Sequence, residues 1–211
     1  MSLYLGKIHY WLFNKIVWFE NLEESIVKFI EDRGLDISVQ KAEIDEKYGK
    51  KLENKNLEEI IDVNNIHGWL QGRIHSSEGR MAAWVDFILK NDENAIEDLK
   101  KVFEEQAILA VQEIKKERNP ATASEIYNCM NNYILDGMPC DRVNIISVSE
   151  DSLVQWERSI CVHKDIWAKE NVDVKVFYDL RDAWIKTFVE NLNPNFKYSI
   201  DSDMKFNIIQ K

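Results

Sequence analysis

Apolar residues in the first half of the chain recur at intervals of three and four, which is the spacing of an amphipathic helix. They predict four helices separated by short breaks, at residues 4–32, 57–89, 95–118 and 123–135. Gly34 is a suitable stop for the first helix, because glycine readily adopts the left-handed conformation that often ends one. The charged residues 36–53 predict a further short, exposed helix that ends near Gly49.

The period changes in the second half, where apolar and polar residues alternate in short runs. The segment "RVNIISVSEDSLVQWERS" (142–159) predicts a hairpin around Ser-Glu-Asp, and "NFKYSIDSDMKFNII" (195–209) predicts another around Asp-Ser-Asp. Residues 172–192 between them have helical spacing, although their first part, "VDVKVFY", alternates and also fits a strand. An isolated two-stranded ribbon is marginal in water, so the two hairpins are predicted to join into one antiparallel sheet.

These elements predict an α+β fold, with a mainly helical N-terminal half packed against a small antiparallel sheet made of the two C-terminal hairpins. A length of 211 residues fits one domain, 1–211, with a helical half at 1–136 and an α+β half at 137–211. Seven glycines and three prolines are few, so long loops are expected to be scarce.

Composition narrows the range of partners. The chain has 27 basic and 37 acidic residues, a formal charge of −10, which argues against a broad surface for nucleic acid or anionic membrane. It has neither an uninterrupted apolar stretch of 18 residues nor a signal-peptide cleavage pattern. Three cysteines, an odd number, fit a reducing compartment better than a disulfide framework. We therefore predict a soluble cytoplasmic protein with no nucleic-acid partner and no membrane partner.

The predicted helix 57–89 contains "HGWLQGRIHSSEGR" (67–80), which is rich in glycine and histidine. His67 and His75 are two turns apart on nearly the same face, and Glu78 follows His75 by three residues. Metal sites in helical bundles use carboxylate–histidine pairs of this kind, but they need a second copy, which this chain lacks. Each glycine costs about 1 kcal/mol relative to alanine in a helix interior. Three of them within twelve residues indicate close packing or a break in the helix.

Aromatic side chains crowd the first predicted helix: Tyr4, Tyr10, Trp11, Phe13, Trp18 and Phe19. Their spread over several faces predicts burial on several sides, in part by a second subunit of a homodimer. Core packing is the plain interpretation, and a small-molecule pocket is the functional one. The residues predicted to bind such a ligand are Trp11, Trp69, Glu78 and Trp84, with Trp18 beside them.

The stretch "ERSICVHKDIW" (157–167) brings a cysteine, a histidine and an aspartate together. If a helix begins after Ser159, a favoured N-cap residue, Cys161 lies in the first turn, where the helix dipole favours the thiolate. In a helix Cys161 and His163 point away from each other, so a distant histidine such as His75 would have to assist. The predicted catalytic residues are Cys161, His75 and His163. A buried cysteine that only packs is the alternative.

Other chemistry receives little support from the sequence. Cys140, Cys161 and His163 do not match the paired spacing of zinc sites, so no metal site is predicted. Cys129 lies within a predicted helix and is expected to pack. Phosphate-binding glycine loops, H-E-x-x-H and G-x-S-x-G are all absent, and no cofactor is predicted.

The order of features in about the last 80 residues resembles the L-2-amino-thiazoline-4-carboxylic acid hydrolase-like proteins. A hairpin ends in "QWERSICVHKDIW", a helix with "LRDAWIKTF" follows, and "NLNPNFKYSIDSDMKFNI" closes the chain. Those proteins have a helical N-terminal half, a cysteine after a strand, which Cys161 matches by position, and a terminal hairpin. They often carry a further cysteine in that hairpin, where this chain has "DMKFNI". The resemblance implies an α+β fold and hydrolysis of a C–N or C–S bond in a small heterocycle.

Two functions follow as hypotheses. The first is a small-molecule hydrolase that uses Cys161, assisted by His75, His163 or Glu78. The second is a non-catalytic small-molecule-binding or regulatory protein, dimeric, with a tryptophan-lined pocket. A reactive thiol favours the first, and a change of tryptophan fluorescence with ligand but without turnover favours the second.

Overall fold

The computed structural model describes residues 5–211, and for Glu93 the backbone alone. In this range the helices are α1 Lys7–Asp32, α2 Ser38–Tyr48, α3 Leu57–Ile60, α4 Ile66–Asn91, α5 Ile96–Lys115, α6 Ala123–Met130, α7 Lys164–Ala168 and α8 Val174–Leu192. The strands are β1 Asn144–Ser149, β2 Leu153–Arg158, β3 Phe196–Ile200 and β4 Phe206–Gln210. Tyr4, counted in the aromatic cluster and at the start of the first predicted helix, lies outside the described residues. None of the described helices combines the length and the apolar character that crossing a bilayer requires.

The chain forms two compact units, and each is assembled from three separate stretches of sequence. The first unit comprises the chain up to Ala95 together with Leu135–Pro139 and His163–Val174. The second comprises Ile96–Ile134, Cys140–Val162 and Lys175–Lys211. The organisation as a single domain with a boundary at residue 136 stays a prediction.

The core of the first unit lies where α1 packs against α4. The predicted apolar stripe of α1 is buried through Leu12, Ile16, Phe19 and Ile26, and the helix ends at Asp32, just before Gly34 at φ +77°. In the centre of α4 all residues from Ser76 to Val85 are buried, whatever side of the helix they occupy. A helix enclosed on every side must satisfy its polar groups inside the protein.

The prediction of one helix over 57–89 is wrong, because the chain turns between α3 and α4. The side chain of Asp62 accepts a hydrogen bond from the backbone of Asn64, and that of Asn65 caps α4 by accepting one from the backbone of Gly68. Short polar side chains such as these compete with the helix for backbone groups. The prediction of a short helix over 36–53 is confirmed by α2, which ends at Tyr48 before Gly49.

The second unit contains the sheet, and the prediction of an α+β fold is confirmed. Both predicted hairpins form, and antiparallel pairing of β2 with β4 joins them into one sheet of order β1-β2-β4-β3. The helix α6 packs on β2 and β4, where Tyr127 meets Trp156 edge-on. Trp156, Tyr198 and Phe206 form an aromatic layer on the sheet.

Two further elements differ from expectation. The predicted helix 123–135 ends at Met130, so it is shorter than its apolar pattern indicates. The alternating "VDVKVFY" does not form a strand, because α8 is helical from Val174 onward and buries Phe177, Leu180, Trp184 and Phe188 on one face. The apolar residues are spaced three and four apart over the whole segment, and this helical pattern determines the structure rather than the alternation in its first residues.

Candidate functional site

Cys161 lies in an irregular segment of the second unit, just after β2. Ser159 does not cap a helix; its Oγ donates to the carbonyls of Arg142 and Val143, at 2.9 and 3.0 Å, and fastens this segment to the start of β1. The following helix, α7, begins only at Lys164. The prediction that Cys161 occupies a first helical turn is therefore wrong, and a helix dipole does not act on its thiol. Its side chain is exposed.

The thiol is close to a phenol that is flanked by two arginines. Cys161 Sγ lies 3.0 Å from Tyr178 Oη, which projects from α8. The guanidinium of Arg158 lies 3.6 Å from the centre of the Tyr178 ring, and that of Arg181 lies 4.9 Å from it. Burial raises the pKa of Tyr178, and the hydrogen bond with Cys161 raises it further. Tyr178 therefore keeps its proton and can donate it in a hydrogen bond to the sulfur.

A half-buried carboxyl on the same helix is within electrostatic range of both arginines. Tyr198 Oη donates to Asp182 Oδ1 at 2.9 Å. Burial raises the pKa of Asp182, although the Tyr198 hydroxyl and the charges of Arg181 and Arg158 act in the opposite direction. A carboxyl that holds its proton to higher pH is suited to giving that proton to a leaving group. We call Arg158, Cys161, Tyr178, Arg181 and Asp182 the thiol cluster.

His163 and Glu78 lie together in the first unit. His163 Nδ1 is 2.6 Å from Glu78 Oε1, and its Nε2 is 3.0 Å from Asp136 Oδ1. Trp167 Nε1 donates to the same Glu78 oxygen at 3.1 Å. The His163 side chain is 1% exposed and that of Glu78 is 2% exposed. Both ring nitrogens are held by carboxylates, so His163 has neither of them available as a base for a substrate.

Protonation of His163 follows from these contacts. Burial disfavours a charged ring, but the carboxylates of Glu78 and Asp136 outweigh this effect and raise the pKa of His163. Glu78 contacts His163 rather than His75, which stands three residues before Glu78 on α4. His75 is exposed on α4, with its Nε2 2.8 Å from Gln71 Nε2.

A second buried ionic group lies on the same helix. Arg80 donates to Glu20 at 2.6 Å, to Glu23 at 2.9 Å and to the hydroxyl of Ser76 at 2.7 Å. The Arg80 and Glu20 side chains are each 1% exposed. The two glutamates project from α1 and Arg80 projects from α4. These buried ion pairs therefore link the two helices.

The predicted ligand-binding tryptophans do not share one environment. Trp84 is 2% exposed and packs edge-on against Phe87. Trp11 is partly exposed under the ammonium group of Lys15, and Trp69 is partly exposed near the guanidinium of Arg73. Trp84 is a core residue, whereas Trp11 and Trp69 are partly exposed beside cationic side chains. A role of these tryptophans in ligand binding stays a prediction.

The other two cysteines, Cys129 and Cys140, differ in exposure. Cys129 is buried in α6, as predicted, and burial raises its pKa. Cys140 is exposed. Among the described residues, no group of three or more histidines, cysteines, aspartates or glutamates is arranged to hold a metal ion.

Sequence reasoning missed Tyr178, Arg181, Asp182 and Asp136. Tyr178 and Arg181 stand three apart on α8, and this spacing places both on the face that meets Arg158. The spacing of tyrosine and arginine in "YDLRD" predicts this proximity if the segment is helical from Val174 onward. Asp136 gave no signal, because its partners lie far away in sequence.

Comparisons with protein-family models, with curated proteins and with solved structures find no match to this chain. The resemblance to the thiazoline-carboxylate hydrolase-like proteins therefore stays a prediction.

Proposed function

We propose that the protein is a small-molecule hydrolase that breaks a C–N or C–S bond through a covalent intermediate on Cys161. The observation that carries the proposal is the 3.0 Å contact between the exposed Cys161 thiol and Tyr178, whose ring centre lies 3.6 and 4.9 Å from two guanidinium groups. A cationic neighbourhood and a phenolic donor both favour the thiolate, which is the nucleophilic form of cysteine.

The chemistry balances with water as the only co-reactant. The Cys161 thiolate attacks an electrophilic sp² carbon and forms a C–S bond, while the π electron pair moves to the attached nitrogen or oxygen. Collapse of this species expels an amine or a thiol, which takes up a proton. Water then attacks the carbon bound to Cys161 and gives one proton back to the Asp182 carboxylate, and the thiolate leaves.

Two groups of the thiol cluster have roles in these steps. Tyr178 donates a hydrogen bond to the sulfur and orients it. Asp182, whose pKa burial raises, supplies the proton to the leaving group. In this proposal His163 and His75 take no part in the chemistry, which replaces the roles predicted for them from sequence.

Alkylation and turnover together test the proposal. Iodoacetamide is added to the folded protein between pH 5 and 9, and the modified cysteines are identified by mass spectrometry. Hydrolysis is followed in parallel with 2-amino-thiazoline-4-carboxylic acid and related small N,S-heterocycles, by the release of a new thiol or amine. We expect Cys161 to react well below pH 8.5, the ordinary value for a free cysteine.

Cys161→Ser and Cys140→Ser form a matched pair, because both thiols are exposed. Turnover should disappear in Cys161→Ser and persist in Cys140→Ser. Equal turnover in both variants, or a Cys161 that reacts only above pH 8.5, would contradict the proposal. Ligand binding that alters tryptophan fluorescence without turnover would instead identify a non-catalytic binding or regulatory protein.

A further inference from the structure

One imidazole joins all three stretches of sequence that make up the first unit. Glu78 belongs to the stretch that ends at Ala95, Asp136 to Leu135–Pro139, and His163 begins His163–Val174. The ring of His163 is within hydrogen-bond distance of both carboxylates. The stretches 135–139 and 163–174 are separated from the rest of this unit by long segments of the second. The contacts at His163 therefore help to hold these two stretches in the first unit.

The geometry specifies which protonation state makes these contacts. An ionised carboxylate only accepts hydrogen bonds, so a ring nitrogen that faces one must carry a proton. Nδ1 faces Glu78 and Nε2 faces Asp136, at 2.6 and 3.0 Å. With both carboxylates ionised, the two contacts together require the imidazolium form of His163. Trp167 Nε1 gives the same Glu78 oxygen a second donor and fixes its orientation.

Charged groups elsewhere in the first unit have their own partners. On α4, Arg80 is bonded to Glu20 and Glu23. In the last stretch, Glu170 is bonded to Lys47 and to Tyr48 of α2. Lys164 and Asp165, which follow His163 directly, are exposed. Among the described residues, the carboxylates bonded to the ring include those of Glu78 from α4 and Asp136 from the 135–139 stretch.

We propose that His163 is a proton-dependent clamp, which in its imidazolium form holds residues 135–139 and 163–168 against α4 and on losing its proton releases them. A neutral ring keeps one N–H, and its other nitrogen then presents a lone pair to a buried carboxylate. Repulsion then replaces a charge-assisted hydrogen bond between the ring and that carboxylate. Local opening lets that carboxylate reach solvent.

The direction with pH follows from the raised pKa of His163 in the folded protein. Its contribution is fully present below the unfolded pKa and is lost as the pH rises through the folded one. The clamp is therefore closed at acidic pH. It opens as the pH rises through the pKa that His163 has in the folded protein. This behaviour is independent of whether Cys161 is catalytic.

The protonation state is measured directly on the unmodified protein. Long-range ¹H–¹⁵N spectra of the four histidine rings are recorded from pH 5 to 10, and His163 is assigned by its disappearance in His163→Gln. We expect both ring nitrogens of His163 to remain protonated at pH 7. A neutral His163 at pH 7, with one unprotonated nitrogen, would overturn the proposal even if the variant itself does not fold.

Hydrogen exchange tests the release. Amide protection factors, corrected for the intrinsic pH dependence of exchange, are measured for 135–139 and 163–168 across the same range. We expect them to fall at least about tenfold as His163 loses its proton. In His163→Gln, which cannot carry the charge, protection should be low throughout and should show no step.

Glu170→Gln is the matched control. It alters a buried carboxyl of the same stretch that is bonded to Lys47 and Tyr48 and leaves the ring contacts in place. The step with pH should persist in this variant. Protection in wild type that does not change as His163 titrates, or a step that survives in His163→Gln, would show that the ring does not hold these residues.

Discussion

Arg80 Nε donates to both carboxylate oxygens of Glu23, at 2.9 and 3.0 Å, in a place where the Arg80 side chain is 1% exposed and that of Glu23 is 8% exposed. Glu20 takes a further bond from the same guanidinium. One cation thus serves two buried carboxylates between α1 and α4. The arrangement is sensitive to the loss of the cation, because two negative charges would then remain in a medium of low polarity.

Arg80→Ala is expected to lower the free energy of unfolding by about 3–5 kcal/mol, the range for breaking a buried ion pair by removing one partner. Urea denaturation monitored by tryptophan fluorescence measures it. Lys90→Ala is the control, since Lys90 forms an exposed i,i+4 pair with Asp86 on the same helix and should cost only about 0.3–0.5 kcal/mol. Similar losses in both variants would contradict the importance assigned to the buried network.

Glu23→Gln should make the protein relatively more stable as the pH rises. Burial raises the pKa of Glu23, and the nearby Arg80 does not fully offset this. A group with a raised folded pKa contributes stability below its unfolded pKa and loses it as the pH rises through the folded one. The wild type should therefore lose stability relative to the variant from about pH 4.5 upward. Unfolding free energies measured at pH 4 to 8 give this difference, and a constant or opposite trend would refute the argument.

Glycines 72 and 79 of α4 should respond in opposite ways to alanine. A Cβ at Gly72 meets open space, whereas a Cβ at Gly79 would overlap the ring of Tyr48. Gly72→Ala is expected to stabilise the protein by about 0.5–1 kcal/mol, the helix-propensity difference. Gly79→Ala should destabilise it and displace Tyr48. Thermal unfolding of the two variants provides the comparison, and stabilisation in both would mean that the Tyr48 contact is not close.

Tyr178→Phe should slow the alkylation of Cys161. The phenol lies 3.0 Å from the sulfur, and a hydrogen bond to a charged group is worth about 1.5 kcal/mol or more, roughly a tenfold change in the thiolate fraction. We expect about tenfold slower reaction with iodoacetamide at pH 7. Cys140 in the same protein is the internal reference, and its rate should be unchanged. An unaltered Cys161 rate would remove Tyr178 from the thiol cluster.

Residue patterns predicted most of the fold because each element carries its own period. The stripes of α1 and α5, the two hairpins and their union in one sheet all follow from local spacing. The break between α3 and α4 at Asp62–Asn65 was not predicted, because the apolar spacing continues through it. Short polar side chains there form hydrogen bonds with backbone groups and interrupt the helix. The helix predicted to begin after Ser159 does not form there, since that hydroxyl bonds instead to the carbonyls of Arg142 and Val143, just before β1.

The candidate sites were harder to predict, because their contacts span long separations. Glu78 and His163 were each singled out from sequence, yet they are 85 positions apart along the chain and no local pattern couples them. Arg80, the last residue of the glycine-rich stretch 67–80, gives no signal in the sequence, because a lone arginine is usually a surface residue. Its burial becomes evident only when α1 supplies Glu20 and Glu23.

The distance along the chain between Glu78 and His163 also has a consequence for synthesis on the ribosome. At about 5–20 residues per second, the 85 residues that separate them take roughly 4–17 s to be added. Throughout that interval the nascent helix α4 exists without the residues that enclose its charged face. The early chain must keep Glu78 hydrated during this time, so the first unit completes its folding only after most of the second has been made.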